Sequence, residues 1–430
     1  MLVKHRGLLF ICAMALLPLF IWLGSIDRLV VIETLPKAIA ALGKAAALSG
    51  LALYLINPIF SMHSPWLESA FGSLDKIYNL HKTVGKAAFY LILLHPILLG
   101  LGRALGPLNF GNIWDWTSLL IATGFIGLIA LIVLTALAIY SHIRHQKWVS
   151  IHRYFGWLIP LFMAHGFIAE GQLIQIKPLL FFYVILSLAG FSAFLYSSVF
   201  SRMLSHRHRY VVAEVNPYTD SVVEVVLKPK GVPMVYAPGQ FAFVSFEQDD
   251  IDPEAHPYSF SNAPNGPYVR FTVKSLGDDT TRMRNLKKGT PAFIEGPYGR
   301  FNYKSVVNKN QVWIAGGVGI TPFLSMARSF SGRSEYNIKF FYGAESLEEA
   351  VFLQEFIDVM RALPDNFQTE VVAKNLSGFI SADLLQKSLD DLKQYDFMIC
   401  GPPRMMATLR RQLQDAGVPA SKIHYEAFSM

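Results

Sequence analysis

Residues 78–98 read YNLHKTVGKAAFYLILLHPIL, and residues 150–168 read SIHRYFGWLIPLFMAHGFI. Both are apolar and of helical length. His81 and His95 lie fourteen residues apart in the first, His152 and His165 thirteen apart in the second. At 1.5 Å per residue, each pair spans roughly 20 Å of helix axis. That separation sets the histidines at two levels of one bilayer. Ionisable residues inside a membrane are costly and point to a functional site, and imidazole is a common axial ligand of haem iron. Two matched pairs on two spans therefore predict two stacked haems, one between His81 and His152, the other between His95 and His165. Fourteen residues return to within about 40° of the same helix face. Thirteen return less cleanly, and Pro160 lies between His152 and His165, where a kink would adjust that face.

The composition agrees with a membrane setting. Of 430 residues, 52% are hydrophobic and only 16% charged. Six apolar segments, 8–24, 38–60, 81–102, 118–140, 152–170 and 177–200, predict a membrane all-α six-helix bundle. The first follows Lys4 and Arg6 like a signal sequence. It has no clear small-residue cleavage site and reads as a retained helix. Basic residues cluster in the N-terminus, in SHIRHQKW (141–148) and in SRMLSHRHRY (201–210). With six spans these fall on one side, so both termini are expected in the cytoplasm of a cell with an inner membrane. The net charge of +7 is explained by those loops rather than by nucleic acid. Cys12 and Cys400 suggest neither a disulfide framework nor a thiolate metal site.

From about residue 206 the pattern changes. RYVVAEVNP, SVVEVVLKP, QFAFVSF and YVRFTVKSL are strand-like runs separated by turn residues, and they predict a small antiparallel β-barrel to residue 305. From 306 onward, strands such as QVWIAGG, IKFFYGA, QTEVVA and DFMICGP alternate with helical stretches, as in a doubly wound α/β domain. The expected domains are thus 1–205, 206–305 and 306–430.

Four short motifs carry chemistry. HPYS, residues 256–259, follows a barrel strand, where Ser259 offers a hydroxyl and Tyr258 a ring to a flavin edge. In FTVKSLGDDTTRM, Lys274 supplies positive charge, and Gly277 and Thr280 suit close backbone approach to a pyrophosphate. WIAGGVGITPFLSM, residues 313–326, is a strand, a glycine turn and a helix start. There Gly316, Gly317 and Gly319 would let the backbone approach a diphosphate. CGPP, residues 400–403, follows another strand, at the carboxyl edge where cofactors bind in open α/β sheets.

Taken together, the whole chain resembles the ferric reductase and NADPH oxidase superfamily. That resemblance implies a six-helix domain with two b-type haems, followed by a ferredoxin-reductase-like flavin and nicotinamide module. By resemblance, His256, Pro257, Tyr258, Ser259 and the stretch from Lys274 through Gly277 to Thr280 carry FAD. Gly316, Gly317, Gly319, Thr321 and Pro322, with Cys400, Gly401 and Pro402, carry the nicotinamide cofactor. EAF, residues 426–428, matches the family's end, where Phe428 would cover the flavin. After IKFFYGA, relatives that prefer NADPH often place an arginine; this chain has Glu345. A carboxylate repels a 2′-phosphate and accepts bonds from a ribose diol, so NADH is expected to serve at least as well as NADPH. Arg328 is the alternative reader of a phosphate.

The expected function is an electron relay from cytoplasmic NAD(P)H through FAD and two haems to an outer acceptor, with no general acid–base pair. Oxygen, giving superoxide, and ferric chelate both fit as acceptor. The alternatives are electron delivery to a periplasmic partner protein and a non-catalytic haem-binding membrane scaffold.

Overall fold

Helices that are apolar all round belong in lipid or against other helices, and the first half of the chain is built from them. In the computed structural model the described residues are 2–25, 34–106, 117–140, 145–169, 175–200, 208–264, 266–275, 277–330 and 335–426. The chain divides into two compact units, Met1–Gly72 with Lys76–Leu204, and Ser73–Asp75 with Ser205–Met430.

Among the described residues, five helices are long and apolar enough to cross a membrane: Gly7–Ser25, Leu35–Ser61, Leu74–Ala104, Ala122–Ile139 and Lys177–Phe200. The segment expected as a span over 152–170 forms the helix Tyr154–Ala169, and His152 ends a separate short helix before it, His145–His152. Tyr154–Ala169 has 16 residues, about 24 Å at 1.5 Å per residue, against a hydrocarbon core of roughly 30 Å. The break falls at Arg153, whose carbonyl accepts from Gly156 N at 3.1 Å; Pro160, inside the second helix, lacks the N–H that would bond the Gly156 carbonyl. The helical face of His165 is therefore not tied to that of His152 by a thirteen-residue count. Between helices, polar side chains bond backbone carbonyls: Tyr183 Oη donates to Leu48 O at 2.7 Å, Tyr54 Oη to Phe155 O at 2.6 Å, and Ser49 Oγ to Ala15 O at 2.8 Å.

The second unit contains two sheets. Six antiparallel strands, β1 (His208–Pro217), β2 (Val222–Pro229), β3 (Phe241–Phe246), β4 (His256–Ser259), β5 (Val269–Lys274) and β6 (Pro291–Tyr298), run in the order β4-β3-β6-β1-β2-β5. A bridge between Phe260 and Phe271 and the bond from Ser261 N to Arg270 O, 2.8 Å, join the two ends into a barrel. Its core holds Val225, Leu227, Val244, Phe260, Phe271 and Ile294.

Five parallel strands follow, β7 (Asn310–Gly316), β8 (Asn337–Ala344), β9 (Phe367–Ala373), β10 (Asp396–Cys400) and β11 (Ile423–Glu426), in the order β11-β10-β7-β8-β9. β7 is buried at every position from Gln311 to Gly316, with the unbroken apolar run VWIA, because both faces are covered. Trp313 packs with Phe323, Phe340 and Phe356 on one side, and Val312 and Ile314 with Leu385 and Leu409 on the other. The chain winds outward from β7 in both directions, so the switch point lies between β7 and β10.

Candidate functional site

In the helical unit the structure brings His81 and His152 together, with ring centroids 6.0 Å apart and planes tilted by 58°. Two imidazoles on opposite sides of one metal ion need about 2 Å per metal–nitrogen bond and about 1.2 Å from each nitrogen to its ring centre, roughly 6 Å in all. Nδ1 of His81 lies 3.0 Å from the Asn57 carbonyl oxygen, and Nδ1 of His95 lies 3.0 Å from that of Gly43. A carbonyl only accepts, so Nδ1 carries the hydrogen in both neutral rings and Nε2 keeps its lone pair for a ligand. His152 stacks on Trp148 at 4.7 Å, and its Nδ1 is a buried atom without a hydrogen-bond partner. His165 packs on helix Thr117–Tyr140. Its Nδ1 is 3.4 Å from Thr123 Oγ1, and a Cβ on Gly124 would come within 2.5 Å of its Cε1. The His81–His152 pair therefore fits bis-histidine ligation of one haem.

The sequence reading missed Asn57, Gly43 and Gly124. The signal for the first was INP at residues 56–58, since a helix end carries carbonyls with no partner of their own. The other two are glycines where helices approach closely.

HPYS lies on β4, paired with β3 so that Ser259 faces Phe241 and His256 faces Val244 across the ladder. Ser259 is buried, and its Oγ has no hydrogen-bond partner; the same holds for His256 Nε2, Thr272 Oγ1 and Ser275 Oγ. Orphaned polar atoms along β4 and β5 are what a polar ligand such as a flavin would satisfy. Pro257 and Tyr258 are half-buried on the same strand, and Lys274 ends β5. The Thr280 hydroxyl is engaged in the Gly277 turn, with N and O of Gly277 each at 3.0 Å. A Cβ on Gly277 would meet nothing within 4 Å, so the protein itself makes no demand for glycine there. Phe428 lies outside the described residues.

The nicotinamide motifs meet at the switch point. Gly316 ends β7 and Cys400 ends β10, its direct neighbour. A Cβ on Gly319 would lie 2.6 Å from both Cys400 C and Gly401 Cα, with Cys400 O closer still; one on Gly316 would lie 2.6 Å from Met405 Sδ. Pro402 also packs there, its Cδ 3.0 Å from that Gly316 position. Gly317 differs from both. Its φ is +52°, which glycine adopts without strain, and a Cβ there would meet open space. Two glycines thus serve the packing of the turns, and the third faces outward where a ligand would lie. Thr321 and Pro322 open a short buried helix, Thr321–Ala327, with Thr321 Oγ1 bonded to Val318 O at 3.2 Å.

Barrel and sheet approach one another at the same edge. Gly299, at φ +91°, follows β6, and a Cβ on it would lie 2.6 Å from Glu426 Oε1 on β11 and 3.0 Å from Phe241. Glu426 pairs with Cys400 and is buried. Burial, reinforced by the Glu426 carboxylate, pushes the Cys400 thiol well above its ordinary pKa. Glu345 follows β8 and is exposed. Lys374, at the end of β9, bonds both its oxygens at 2.8 and 3.1 Å, a neighbour the sequence reading missed because the two lie 29 residues apart. Arg328 is bound to two carboxylates and a carbonyl, leaving little of it to read a phosphate.

An antiparallel barrel with a flavin-type strand, a parallel sheet with a nicotinamide-type turn and membrane-length helices define a membrane-bound, flavin- and nicotinamide-dependent oxidoreductase. Residues 45–163 match the ferric reductase like transmembrane component, 207–302 an FAD-binding domain and 313–411 an oxidoreductase NAD-binding domain. Together these make the ferric reductase/NADPH oxidase-like architecture, and the chain is an NAD(P)H- and FAD-dependent transmembrane oxidoreductase of the ferric reductase family. The transmembrane match holds His81, His95 and His152 and stops before His165.

Among individual proteins, the chain is 28% identical over 229 residues to the ferredoxin–NAD(P)(+) reductase CarAd of Metapseudomonas resinovorans, covering 50% of this chain and 68% of that one. It is 28% identical over 235 residues to a flavohemoprotein of Xylella fastidiosa, covering 52% of this chain and 59% of the relative. The FAD/NAD-binding domain of a nitric oxide dioxygenase from Vibrio cholerae is similar at 27% identity and a TM-score of 0.45, over 51% of this chain and 97% of that structure.

Proposed function

We propose that this protein carries electrons from NADH or NADPH, through FAD and two b-type haems, to an acceptor on the far side of the bilayer, oxygen or ferric iron. The observation that carries this reading is the His81–His152 pair. Its ring centroids stand 6.0 Å apart, and the first ring is fixed by the Asn57 carbonyl. His95, fixed by Gly43, and His165, against Gly124, supply the second set of ligands. Bound FAD would take a hydride from the nicotinamide and release electrons singly, and bound haems would conduct them.

The residues do the rest. Ser259 and His256 offer buried polar atoms to the flavin edge. Gly317 leaves room beside the switch point for the nicotinamide cofactor, and Glu345 accepts from a ribose diol. The buried neighbours of Ser259 and Cys400 exclude water from that edge. Cations at the chain's basic loops set the termini in the cytoplasm.

The test uses detergent-purified full-length protein. Pyridine haemochrome should give about two haems per chain, and His81→Ala or His152→Ala should each remove one. NADH should then reduce flavin and haem together. Superoxide yield and ferrous-chelator signal, compared under air and under nitrogen, identify the acceptor. One haem or none after haem-supplemented expression would overturn the reading.

A further inference from the structure

Glu224 sits on β2 in the middle of the barrel sheet and is fully buried. A buried carboxylate needs partners, because leaving water is costly. It has two. Arg270 Nη1 reaches its Oε2 at 3.1 Å, and Arg328 Nη1 reaches its Oε1 at 3.3 Å. Arg270 belongs to the barrel, but Arg328 comes from the other sheet's side. It caps the Thr321–Ala327 helix that begins with the GGVG turn.

Arg328 makes three further bonds. Nε and Nη2 hold both oxygens of Glu355 at 2.7 Å, and Nη1 donates to Ser261 O at 2.7 Å. One turn earlier, Ser325 Oγ donates to Asn262 O at 2.7 Å. Ser261 and Asn262 lie two and three residues beyond Ser259, where the flavin strand ends. Around the guanidinium, the Phe352 ring lies 5.7 Å away and packs against Tyr218 of the barrel, with centroids 4.5 Å apart and planes tilted by 59°. Phe352 is the only described non-glycine residue at positive φ, +68°. A bulky residue persists there only when its surroundings dictate the backbone.

We propose that Arg328 is a positioning residue for hydride transfer, clamping the helix of the nicotinamide turn onto the peptide that follows the flavin strand. This rests on the flavin and nicotinamide reading above. In the step it serves, the C4–H bond of the dihydronicotinamide breaks. Hydrogen and electron pair pass to flavin N5, leaving oxidised nicotinamide and two-electron-reduced flavin. Displacement of about 1 Å at such a step costs up to about a hundredfold. Two of the clamp's bonds end on backbone carbonyls, so the strand itself is held rather than a mobile side chain.

The test compares wild type with Arg328→Lys, which keeps the charge but loses the bidentate fork, and with Ser325→Ala, which leaves every charge in place. Stopped-flow flavin reduction at saturating NADH should slow about tenfold in Arg328→Lys and less in Ser325→Ala. The NADH dissociation constant should stay within about twofold. Amide hydrogen exchange should quicken at 261–263 and at 321–327 in both variants, with FAD content and the rest of the barrel unchanged. Wild-type rates and exchange in both variants overturn the proposal. So does slowing that comes only with lost FAD and exchange raised throughout the barrel, which marks a merely structural role. A wild type whose flavin neither NADH nor NADPH reduces would sink the functional reading instead, and the exchange measurements would still judge the clamp.

Discussion

Gly319→Ala is the sharpest perturbation of the nicotinamide edge. The new methyl would sit 2.6 Å from Cys400 C and from Gly401 Cα, both backbone atoms that cannot rotate away. To regain the 3.4 Å of ordinary contact with the Cys400 carbonyl, which is closer still, the GGVG turn and the CGPP turn must part by about 1 Å. Overpacking of this kind costs about 1–3 kcal/mol of stability. A shift near 1 Å at the reacting edge costs up to about a hundredfold in rate. We expect flavin reduction by NADH to fall by ten- to about a hundredfold, with a fall in Tm of several degrees. Gly317→Ala is the control. Its methyl meets no protein atom, so the variant pays only the left-handed backbone, about 1–2 kcal/mol. It should raise the KM for NADH more than it lowers kcat, because the methyl intrudes on the ligand's side. The assay is stopped-flow flavin bleaching over a range of NADH, read beside a thermal melt. Gly319→Ala with wild-type rate and Tm would refute the view that these glycines lock the two turns together.

Three further outcomes are expected. Cys400 is buried, and its thiol is pushed up by burial and by Glu426; it should resist iodoacetamide at pH 8 in the folded protein while reacting once unfolded, as peptide mass spectrometry would report. The unfolded thiol ionises near its usual value of about 8.5 while the folded one stays protonated, so this residue's contribution to stability should fall as pH rises past about 8.5. Ser259→Ala should weaken FAD binding by about 1 kcal/mol, roughly fivefold, in a flavin-fluorescence titration, since its buried Oγ has no protein partner to lose; unchanged affinity would remove Ser259 from the flavin site. Glu345→Gln releases Lys374 from its ion pair and should move the NADPH-to-NADH ratio of kcat/KM up by roughly tenfold, whereas an unchanged ratio places the 2′ position elsewhere.

The order of elements was legible in the sequence because each rests on local pattern. Apolar runs of membrane length, alternating strand residues and glycine turns after strands depend on near neighbours alone. The same holds for the histidine pairs, whose spacing is a property of one helix. His152 and His165 show where that logic stops. A helix break at Arg153 separates them, so the count of thirteen does not set their faces. The glycine motifs were read as open to a ligand, yet tertiary packing gave them separate tasks. In the GGVG turn, Gly316 and Gly319 yield to the neighbouring CGPP turn while Gly317 faces open space.

Long-range charge was beyond any local pattern. Glu224 and Arg328 are 104 residues apart, and Glu345 and Lys374 are 29 apart. Pattern reading assigns a charge to a strand or a helix end, but its partner is fixed by which strands become neighbours. The sequence by itself therefore determined the kinds of domain, the membrane helices and the cofactor-type motifs. Only the fold decided which carbonyls orient His81 and His95, which arginine is spent on a buried carboxylate, and which glycine is left for the cofactor. Those are contacts between surfaces that come together when a whole sheet or bundle closes.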